Sequence, residues 1–439
     1  MKNLIKKLVP RKLLLFYHLA LANIAARYFK NPTKHLYVIG VTGTNGKTTV
    51  SNLITSIFQE AGYKAGCATT TNFRIGKSDT LNDTKQTMLG RFRLQKLLAK
   101  MRDQGCTIAV VETSSEGIVQ YRHAAINYHA AVFTNLTPEH IESHGSYEKY
   151  RAAKEKLFEK VAREHPDDGV GVYNLDSKDV DFFLQYHVPR KYGFTFQKDL
   201  QKAGIKILRV LEYRADADGS DFTVEFRGQT FSFHIKLKGV CNIENVLAAL
   251  CVSLSQGISF RVANAALRTI DHIPGRFEFI DEAQDFKVLV DYAPEPESMR
   301  QLYDFISVYA RTYSIGHIIH VLGSAGGGRD KSRRPILGRI AAQHADLVIV
   351  TNEDPYDEDP QQIIDQVASG ALDAGKILDD TVVKIADRRK AIAYAIEHAR
   401  PNDLVVLTGK GSEQAIVVKN NKKIPWDERE VVREILQER

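Results

Sequence analysis

The chain has 439 residues, of which 44% are hydrophobic and 26% are charged, and its net charge is +7. This length exceeds what one compact core usually supports, so we expect two domains in an ordinary globular protein. The mild positive charge suits polyanionic ligands such as nucleotides, but no interleaving of aromatic and basic residues indicates nucleic acid. The four cysteines form no C-x-x-C pair, which argues against a disulfide framework and a zinc site and fits a reducing cytoplasm.

Residues 1–35 differ from the rest of the sequence. Five basic residues among the first twelve precede an apolar stretch, 13–26, which is too short and too polar to span a membrane. We expect a basic, amphipathic helical segment that docks on the protein. The alternative is a helix that rests on an anionic membrane surface and so brings a cytoplasmic protein to the inner membrane face.

A glycine-rich loop with the sequence T-G-T-N-G-K-T-T occupies residues 42–49. An apolar stretch before it predicts a β-strand, and apolar residues at three- and four-residue spacing after it predict a helix. In this order the three elements form a phosphate cradle, because backbone N–H groups and the positive end of the helix face the anion. The alternative is an ordinary glycine turn. The predicted nucleotide-binding residues of the loop are Gly43, Thr44, Asn45, Gly46, Lys47, Thr48 and Thr49.

Individual side chains add chemistry to this loop. Lys47 can place a positive charge at the phosphates, and the Thr48 hydroxyl can bind Mg²⁺. The general pattern G-x-x-x-x-G-K-[ST] is incomplete, because position 41 is Val. Glu112 is the last residue of a predicted strand, where α/β sheets place ligand-binding groups, and its carboxylate with the His140 imidazole suits a second divalent cation.

The remaining pattern predicts an α/β fold of two domains. Residues 36–273 form a central P-loop-type ATPase domain with a parallel sheet, and residues 274–439 form a Rossmann-like C-terminal α/β domain. Pro and Gly mark a hinge between them, at residues 272–276. The predicted strands of the central domain are 107–112, 130–135 and 171–176, with a helix over 149–161 and a β-rich stretch over 222–237. Those of the C-terminal domain are near 286–291, 317–322, 346–351 and 404–408.

Several motifs follow the loop in order and together resemble the Mur ligase family, ATP-dependent enzymes that build the peptide of the bacterial cell wall. They are E-T-S-S at 112–115, T-N-L at 134–136 with Glu139 and His140, Y-R-A-A-K at 150–154, G-V-C-N-I-E-N at 239–245 and P-G-R-F-E at 274–278. Further motifs resemble the branch that adds the third residue, the UDP-N-acetylmuramoyl-tripeptide synthetases. They are V-D-Y-A at 290–293, G-G-G-R-D-K at 326–331, residues 351–360 and G-K-G-S-E at 409–413.

The resemblance implies an amide ligase that uses ATP and Mg²⁺ and forms an acyl phosphate, with a cell-wall peptide precursor and a free amino acid as substrates. Lys47, His140 and Lys154 would be catalytic, and Lys154 would carry a carbamate formed with CO₂. The implied metal ligands are Thr48, Glu112, His140 and Lys154. Further nucleotide contacts would come from Asn242, Asn245, Arg276 and Asp291. Implied substrate contacts are Ser114, Gln120 and Arg122 for the donor, and Arg329, Asp354 and Glu413 for the amino acid.

The sequence also departs from the branch. Only some 35 residues precede the strand that leads into the loop, where relatives carry a UDP-binding domain of about a hundred residues. Pro294 and Glu116 each stand where the family has His, and Tyr356 stands where diaminopimelate-adding relatives have Arg. Since Asp354 and Glu413 are acidic, we expect lysine or ornithine as the added amino acid. We expect a monomer. The alternatives are a γ-glutamyl ligase like folylpolyglutamate synthetase and a nucleotide-binding scaffold without catalysis.

Overall fold

The structure is a computed structural model that describes residues 10–139 and 141–439. The predictions for the first nine residues and for His140 therefore lie outside the described residues. Two parallel-rich sheets organise the chain, one built from residues 37–235 and the other from residues 278–407. The predicted α/β fold class is confirmed.

The first sheet has eleven strands in the order β11-β10-β9-β8-β7-β6-β1-β5-β2-β3-β4, and the seven from β9 to β2 are parallel. Its central strands are continuous apolar runs because helices cover both faces. The strands are β1 (Tyr37–Thr42), β2 (Ala65–Ala68), β3 (Asn72–Ile75), β4 (Ser78–Leu81), β5 (Ile108–Glu112), β6 (Tyr128–Phe133), β7 (Val170–Asn174), β8 (Arg190–Thr195), β9 (Ile205–Ala215), β10 (Ser220–Phe226) and β11 (Gln229–Ile235).

Nine helices accompany this sheet in the described part of the chain. One cluster of buried apolar side chains joins the sheet to α2 and α8, and a second joins its other face to α3 and α6. The helices are α1 (Arg11–Tyr28), α2 (Lys47–Glu60), α3 (Arg91–Asp103), α4 (Ser115–Val119), α5 (Ile141–His144), α6 (Tyr147–Glu164), α7 (Val180–Leu184), α8 (Val240–Ser255) and α9 (Phe260–Arg268). A short 3₁₀ turn, Pro32–His35, links α1 to β1.

The second sheet has six strands in the order β12-β13-β17-β14-β15-β16, of which only the edge strand β12 is antiparallel. A separate hairpin, β18 and β19, follows it. The strands are β12 (Glu278–Ile280), β13 (Lys287–Val290), β14 (Ile318–Leu322), β15 (Leu347–Val350), β16 (Val382–Lys384), β17 (Leu404–Leu407), β18 (Ala415–Val418) and β19 (Lys422–Pro425). The helices are α10 (Pro296–Tyr313), α11 (Arg333–His344), α12 (Pro360–Asp373), α13 (Arg388–His398) and α14 (Glu428–Glu438), and a 3₁₀ turn spans Lys419–Asn421.

The predicted N-terminal helix is present as α1, which packs against α3. Its buried positions are small alanines, whereas Phe16 and Tyr28 are 68% and 73% exposed. Within residues 10–139 and 141–439, no helix is long and apolar enough to cross a membrane.

Candidate active site

A cavity of about 530 Å³ lies between the two sheets and takes its walls from both. The carboxyl ends of the parallel strands point towards it, which is the usual ligand-binding edge of an open α/β sheet. The register explains the first wall: Val41 pairs with Glu112 and Thr42 pairs with Phe133, so the loops after β1, β5 and β6 meet at one edge.

The predicted phosphate loop joins β1 to α2 and lines this cavity. Gly46 adopts φ +82°, and a Cβ placed there would lie 2.2 Å from Oδ1 of Asn245. Only glycine therefore fits this close approach without strain. Lys47 begins α2, and its Nζ donates to the carbonyl of Thr44 at 2.6 Å. Positive charge and the open N–H groups of a helix N-terminus thus coincide, as anion binding requires.

Glu112 and Thr48 lie side by side at the first wall. The Thr48 hydroxyl donates to the Glu112 carboxylate at 2.8 Å, and Thr70 donates to it through both its backbone N–H and its hydroxyl. Glu112 is 2% exposed. A buried carboxylate beside a hydroxyl offers the hard oxygen ligands that Mg²⁺ prefers, so these residues fit the expected metal.

Lys154 lies on α6 and points into the back of the phosphate loop. Its Nζ donates to the carbonyl of Gly43 at 2.7 Å and lies 4.4 Å from the centre of the Tyr150 ring. The side chain is buried, and burial together with the nearby Lys47 lowers the pKa of Lys154 well below its usual value. A neutral amine is the form that reacts with CO₂, so this environment favours the predicted carbamate.

The four predicted metal ligands cannot be assembled in full, because His140 lies outside the described residues. Its neighbour Glu139 accepts from the hydroxyl of Tyr150 at 3.3 Å, and that hydroxyl also lies 3.0 Å from Thr44 Oγ1. Among residues 10–139 and 141–439, no three histidine, cysteine or acidic side chains converge as a metal centre. Thr48, Glu112 and Lys154 nevertheless line one cavity.

Asn242 and Asn245 lie in the first turns of α8, next to the phosphate loop. Asn242 donates to the carbonyl of Lys238 at 2.8 Å, and Asn245 donates to Asn242 Oδ1 at 3.0 Å. Both side chains are buried. Their clearest role is to fix this helix start against Gly46, and both also line the cavity.

Arg276 and Asp291 approach the cavity from the second sheet. The Arg276 guanidinium lies 4.4 Å from the centre of the Tyr292 ring. Asp291 follows β13 and accepts from the backbone N–H groups of Phe277 and Ala293, each at 2.8 Å. Both residues line the cavity, where a nucleotide held by the phosphate loop would meet them.

The three predicted donor contacts lie at the start of the short helix α4 and just after its end. Ser114 caps α4 by accepting from the N–H of Gly117 at 3.1 Å. Arg122 donates to Gln120 Oε1 at 2.9 Å and to the carbonyl of Met88. All three predicted residues line the cavity, and Arg122 brings a cationic side chain to it.

The predicted acceptor contacts Asp354 and Glu413 are already paired with two lysines of the chain. Lys410 Nζ lies 3.0 Å from Asp354 and 2.9 Å from Glu413. Lys85, from the loop after β4, forms ion pairs with the same two carboxylates. The expectation of lysine or ornithine as substrate required two acids available to a cationic side chain, and that premise does not hold.

Arg329, the third predicted acceptor contact, stands beside these pairs. Its guanidinium lies 5.4 Å from the centre of the Tyr356 ring. Lys85 was not among the predicted site residues, and neither was the pair of Arg333 and Glu295, which also lines the cavity. No local signal marks Lys85, because its partners lie hundreds of residues away in the chain.

Comparison with known proteins bears directly on this arrangement. Residues 41–253 match the Mur ligase middle domain, and residues 275–411 match the Mur ligase, glutamate ligase domain. The chain is 36% identical over 419 residues to the UDP-N-acetylmuramoyl-L-alanyl-D-glutamate–2,6-diaminopimelate ligase of Syntrophomonas wolfei, with 95% of this chain and 81% of that protein covered. The chain belongs to the Mur ligase family. The predictions of family and of an ATP-dependent ligase are confirmed.

Other relatives agree with this assignment. A UDP-N-acetylmuramyl-tripeptide synthetase of a Roseiflexus species is 36% identical over 427 residues, covering 95% of this Mur ligase and 82% of the relative. A solved 2,6-diaminopimelate ligase is 29% identical, with a TM-score of 0.58 over 92% of this chain and 78% of that one. A Mycobacterium tuberculosis folylpolyglutamate synthase with ADP has a TM-score of 0.70 at 18% identity. The match covers 89% of this chain and 91% of that one, so the two proteins share the fold.

Proposed function

We propose that this Mur ligase joins an amino acid to the peptide of a UDP-muramoyl cell-wall precursor. ATP would phosphorylate the donor carboxylate to an acyl phosphate with release of ADP. The acceptor amine would then attack the acyl carbon, and phosphate would leave as the amide forms. The observation that carries this proposal is the shared cavity, which has the phosphate loop on one wall and Arg329, Asp354 and Glu413 on the other.

Phosphoryl transfer asks a protein mainly for positioning and positive charge. Lys47 would supply that charge at the phosphates, and Arg276 would meet them from the second sheet. Thr48 would hold one Mg²⁺, and Glu112, His140 and a carbamoylated Lys154 would hold a second ion. Bound Mg²⁺ would neutralise charge that develops on the phosphate oxygens. Ser114, Gln120 and Arg122 would bind the donor.

The test is an assay of the purified protein with ATP, a UDP-muramoyl dipeptide and single amino acids. ADP release and the mass of a new amide product should both depend on donor and acceptor. Folylpolyglutamate with glutamate tests the γ-glutamyl alternative. ADP release that needs neither donor nor acceptor, with no amide in the mass spectrum, contradicts the proposal and favours a protein without ligase function.

We also propose that α1 holds the enzyme at an anionic membrane surface. Five of its apolar side chains are more than half exposed: Leu13, Phe16, Tyr17, Ile24 and Tyr28. Phe92 of α3 extends this stripe, with its ring 6.3 Å from that of Tyr28. Exposed basic side chains of α3 flank it, and no acidic residue precedes Glu60 in the sequence. An apolar stripe bordered by cations fits the headgroup region of anionic lipids.

Co-sedimentation with vesicles rich in phosphatidylserine tests this contact. The double variant Phe16→Ser, Tyr17→Ser should lose vesicle binding, whereas Ile377→Ser, at a site 62% exposed on the other sheet's domain, should keep it. Neutral vesicles should bind the wild type weakly. Equal pelleting of both variants, or none of the wild type, would support the alternative in which α1 only packs on the protein.

A further inference from the structure

Lys85 extends from the first sheet's domain into the end of the cavity that is lined by the predicted acceptor contacts Asp354 and Glu413. Its Nζ lies 2.7 Å from the Glu413 carboxylate, donates to the carbonyl of Ala415 at 2.9 Å, and pairs with Asp354. Lys410 makes the same three contacts from its own domain. Two lysines thus share two carboxylates and one carbonyl. The side chains of Lys85 and Asp354 are 4% and 5% exposed, so this is a buried group of charges.

The chain holds Lys85 in this position through its backbone as well as its side chain. Lys85 has φ +56°, a left-handed conformation that is unfavourable for a residue with a Cβ. The buried Asn82 fixes the turn, because its side chain donates to the carbonyls of Thr69 and Gln86 and accepts from the N–H of Thr84. Strain maintained by surrounding contacts is characteristic of functional positions.

A second contact docks the same loop on the β18–β19 hairpin. Lys423 Nζ donates to the carbonyls of Asp83 and Thr84, each at 3.0 Å. Among the described residues, Lys423 forms no hydrogen bond or ion pair with Asp354 or Glu413. Lys423 therefore only docks the loop, whereas Lys85 docks the loop and also pairs with the two carboxylates. Substituting each lysine in turn distinguishes these two roles.

The charges at this end of the cavity then balance without a ligand. The two ammonium groups of Lys85 and Lys410 match the carboxylates of Asp354 and Glu413. The neighbouring acid Glu295 pairs with Arg333, and Glu353 lies near Arg333 and Lys410. Arg329 is left beside Tyr356 as the cation that can meet a carboxylate of the acceptor. An ammonium group at the far end of the acceptor would find its two acids taken.

We propose that Lys85 is a specificity-determining residue that makes this ligase select an acceptor amino acid with no ammonium group at its far end. The inference rests on the proposed ligase function and narrows its acceptor class. It separates this chain from the relatives named for diaminopimelate, because diaminopimelate carries a distal ammonium. A binding site commonly gains specificity by rejecting a competing substrate, either because the partner groups are already paired or because they carry the same charge as the substrate.

Three acceptors with the same six-carbon chain test the proposal: lysine, norleucine and 2-aminoadipate, which end in an ammonium, a methyl and a carboxylate group. With ATP and the UDP-muramoyl dipeptide, the wild type should use the second and third at least about tenfold better than lysine by kcat/KM. Lys85→Met should raise kcat/KM for lysine about tenfold or more relative to norleucine. Lys423→Met, the matched control, should keep the wild-type ranking.

The outcomes separate this inference from the function on which it rests. The inference would be overturned if the wild type preferred lysine, ornithine or diaminopimelate as the acceptor. Lys85 would then be a group that the substrate displaces. Rejection of lysine that persists in a folded Lys85→Met protein would also overturn it. If that variant does not fold, the wild-type ranking decides. No amide with any acceptor would instead overturn the proposed function, and the inference with it.

Discussion

The side-chain nitrogen of Lys154 lies 2.7 Å from the carbonyl of Gly43, so α6 and the phosphate loop are joined by one hydrogen bond inside the first domain. The contact joins residues 111 positions apart and places a lysine behind the loop that would hold the nucleotide. Since the side chain is buried and Lys47 is near, the neutral amine is favoured. This is the setting in which a carbamate can form and reverse the local charge.

We predict that Lys154→Ala loses nearly all ligase activity and regains part of it with added acetate or formate. A small carboxylate could occupy the space that the carbamate would fill. The assay is amide formation at increasing carboxylate concentration, with chloride at equal ionic strength as the control. Activity of the alanine variant near the wild-type level would contradict a role for this group.

Activity should also depend on CO₂ in a pH-dependent way. Because the pKa of Lys154 is lowered, its amine is neutral above that lowered pKa and becomes protonated as the pH falls through it. Uptake of CO₂ releases a proton and needs the neutral amine, so the carbamate should be lost towards acid pH. Degassed protein in mildly acidic buffer should lose activity, and bicarbonate should restore it. Intact mass under native conditions should show the added CO₂.

Lys47→Ala should reduce ligation about 100-fold or more, because the phosphates lose a fixed charge at the start of α2. The folded state should change little, since Lys47 Nζ donates its hydrogen bond to Thr44 within the same loop. Steady-state rates and thermal melting measure the two effects. Near-normal turnover in a folded variant would show that the loop does not carry the chemistry.

Gly46→Ala should weaken ATP binding by about tenfold or more, because the loop must move to relieve both a left-handed backbone and a clash with Asn245. Gly62→Ala is a matched control: Gly62 has φ +89°, and nothing lies within 4 Å of the Cβ it would gain. The control has the same type of backbone strain without the clash. Calorimetric titration with an ATP analogue compares them, and equal affinities would show that the close approach is not needed.

The sequence predicted the central strands well because buried parallel strands are continuous apolar runs, as in Val110 and Val111 of β5. The sequence also located the phosphate loop, because the glycine, lysine and threonine that such a loop needs are close together in the chain. The sequence could not predict the Lys85 contact, because the hydrogen bond to Asp354 joins residues 269 positions apart. A lysine in a polar loop gives no local sign that it will be buried. Pairing across domains is a property of the tertiary structure alone.

Arg388 and Glu428 form a buried ion pair in the second domain and supply a test of its stability. Arg388 Nε lies 2.9 Å from the carboxylate, and both side chains are almost completely buried. Arg388→Met should destabilise the domain by about 3–5 kcal/mol, because it leaves the Glu428 charge buried without its partner. The double variant Arg388→Met, Glu428→Met should recover much of that loss, since no unpaired charge then remains.

The next residue along α13 provides the control for this experiment. Arg389 pairs with Glu434 at the surface, so Arg389→Met should change stability by less than about 1 kcal/mol. Urea unfolding followed by circular dichroism gives the three free energies. An Arg388→Met protein as stable as Arg389→Met would show that this buried ion pair does not stabilise the domain. A double variant less stable than Arg388→Met would show that Glu428 stabilises the domain through its other contact, the bond it accepts from Trp426.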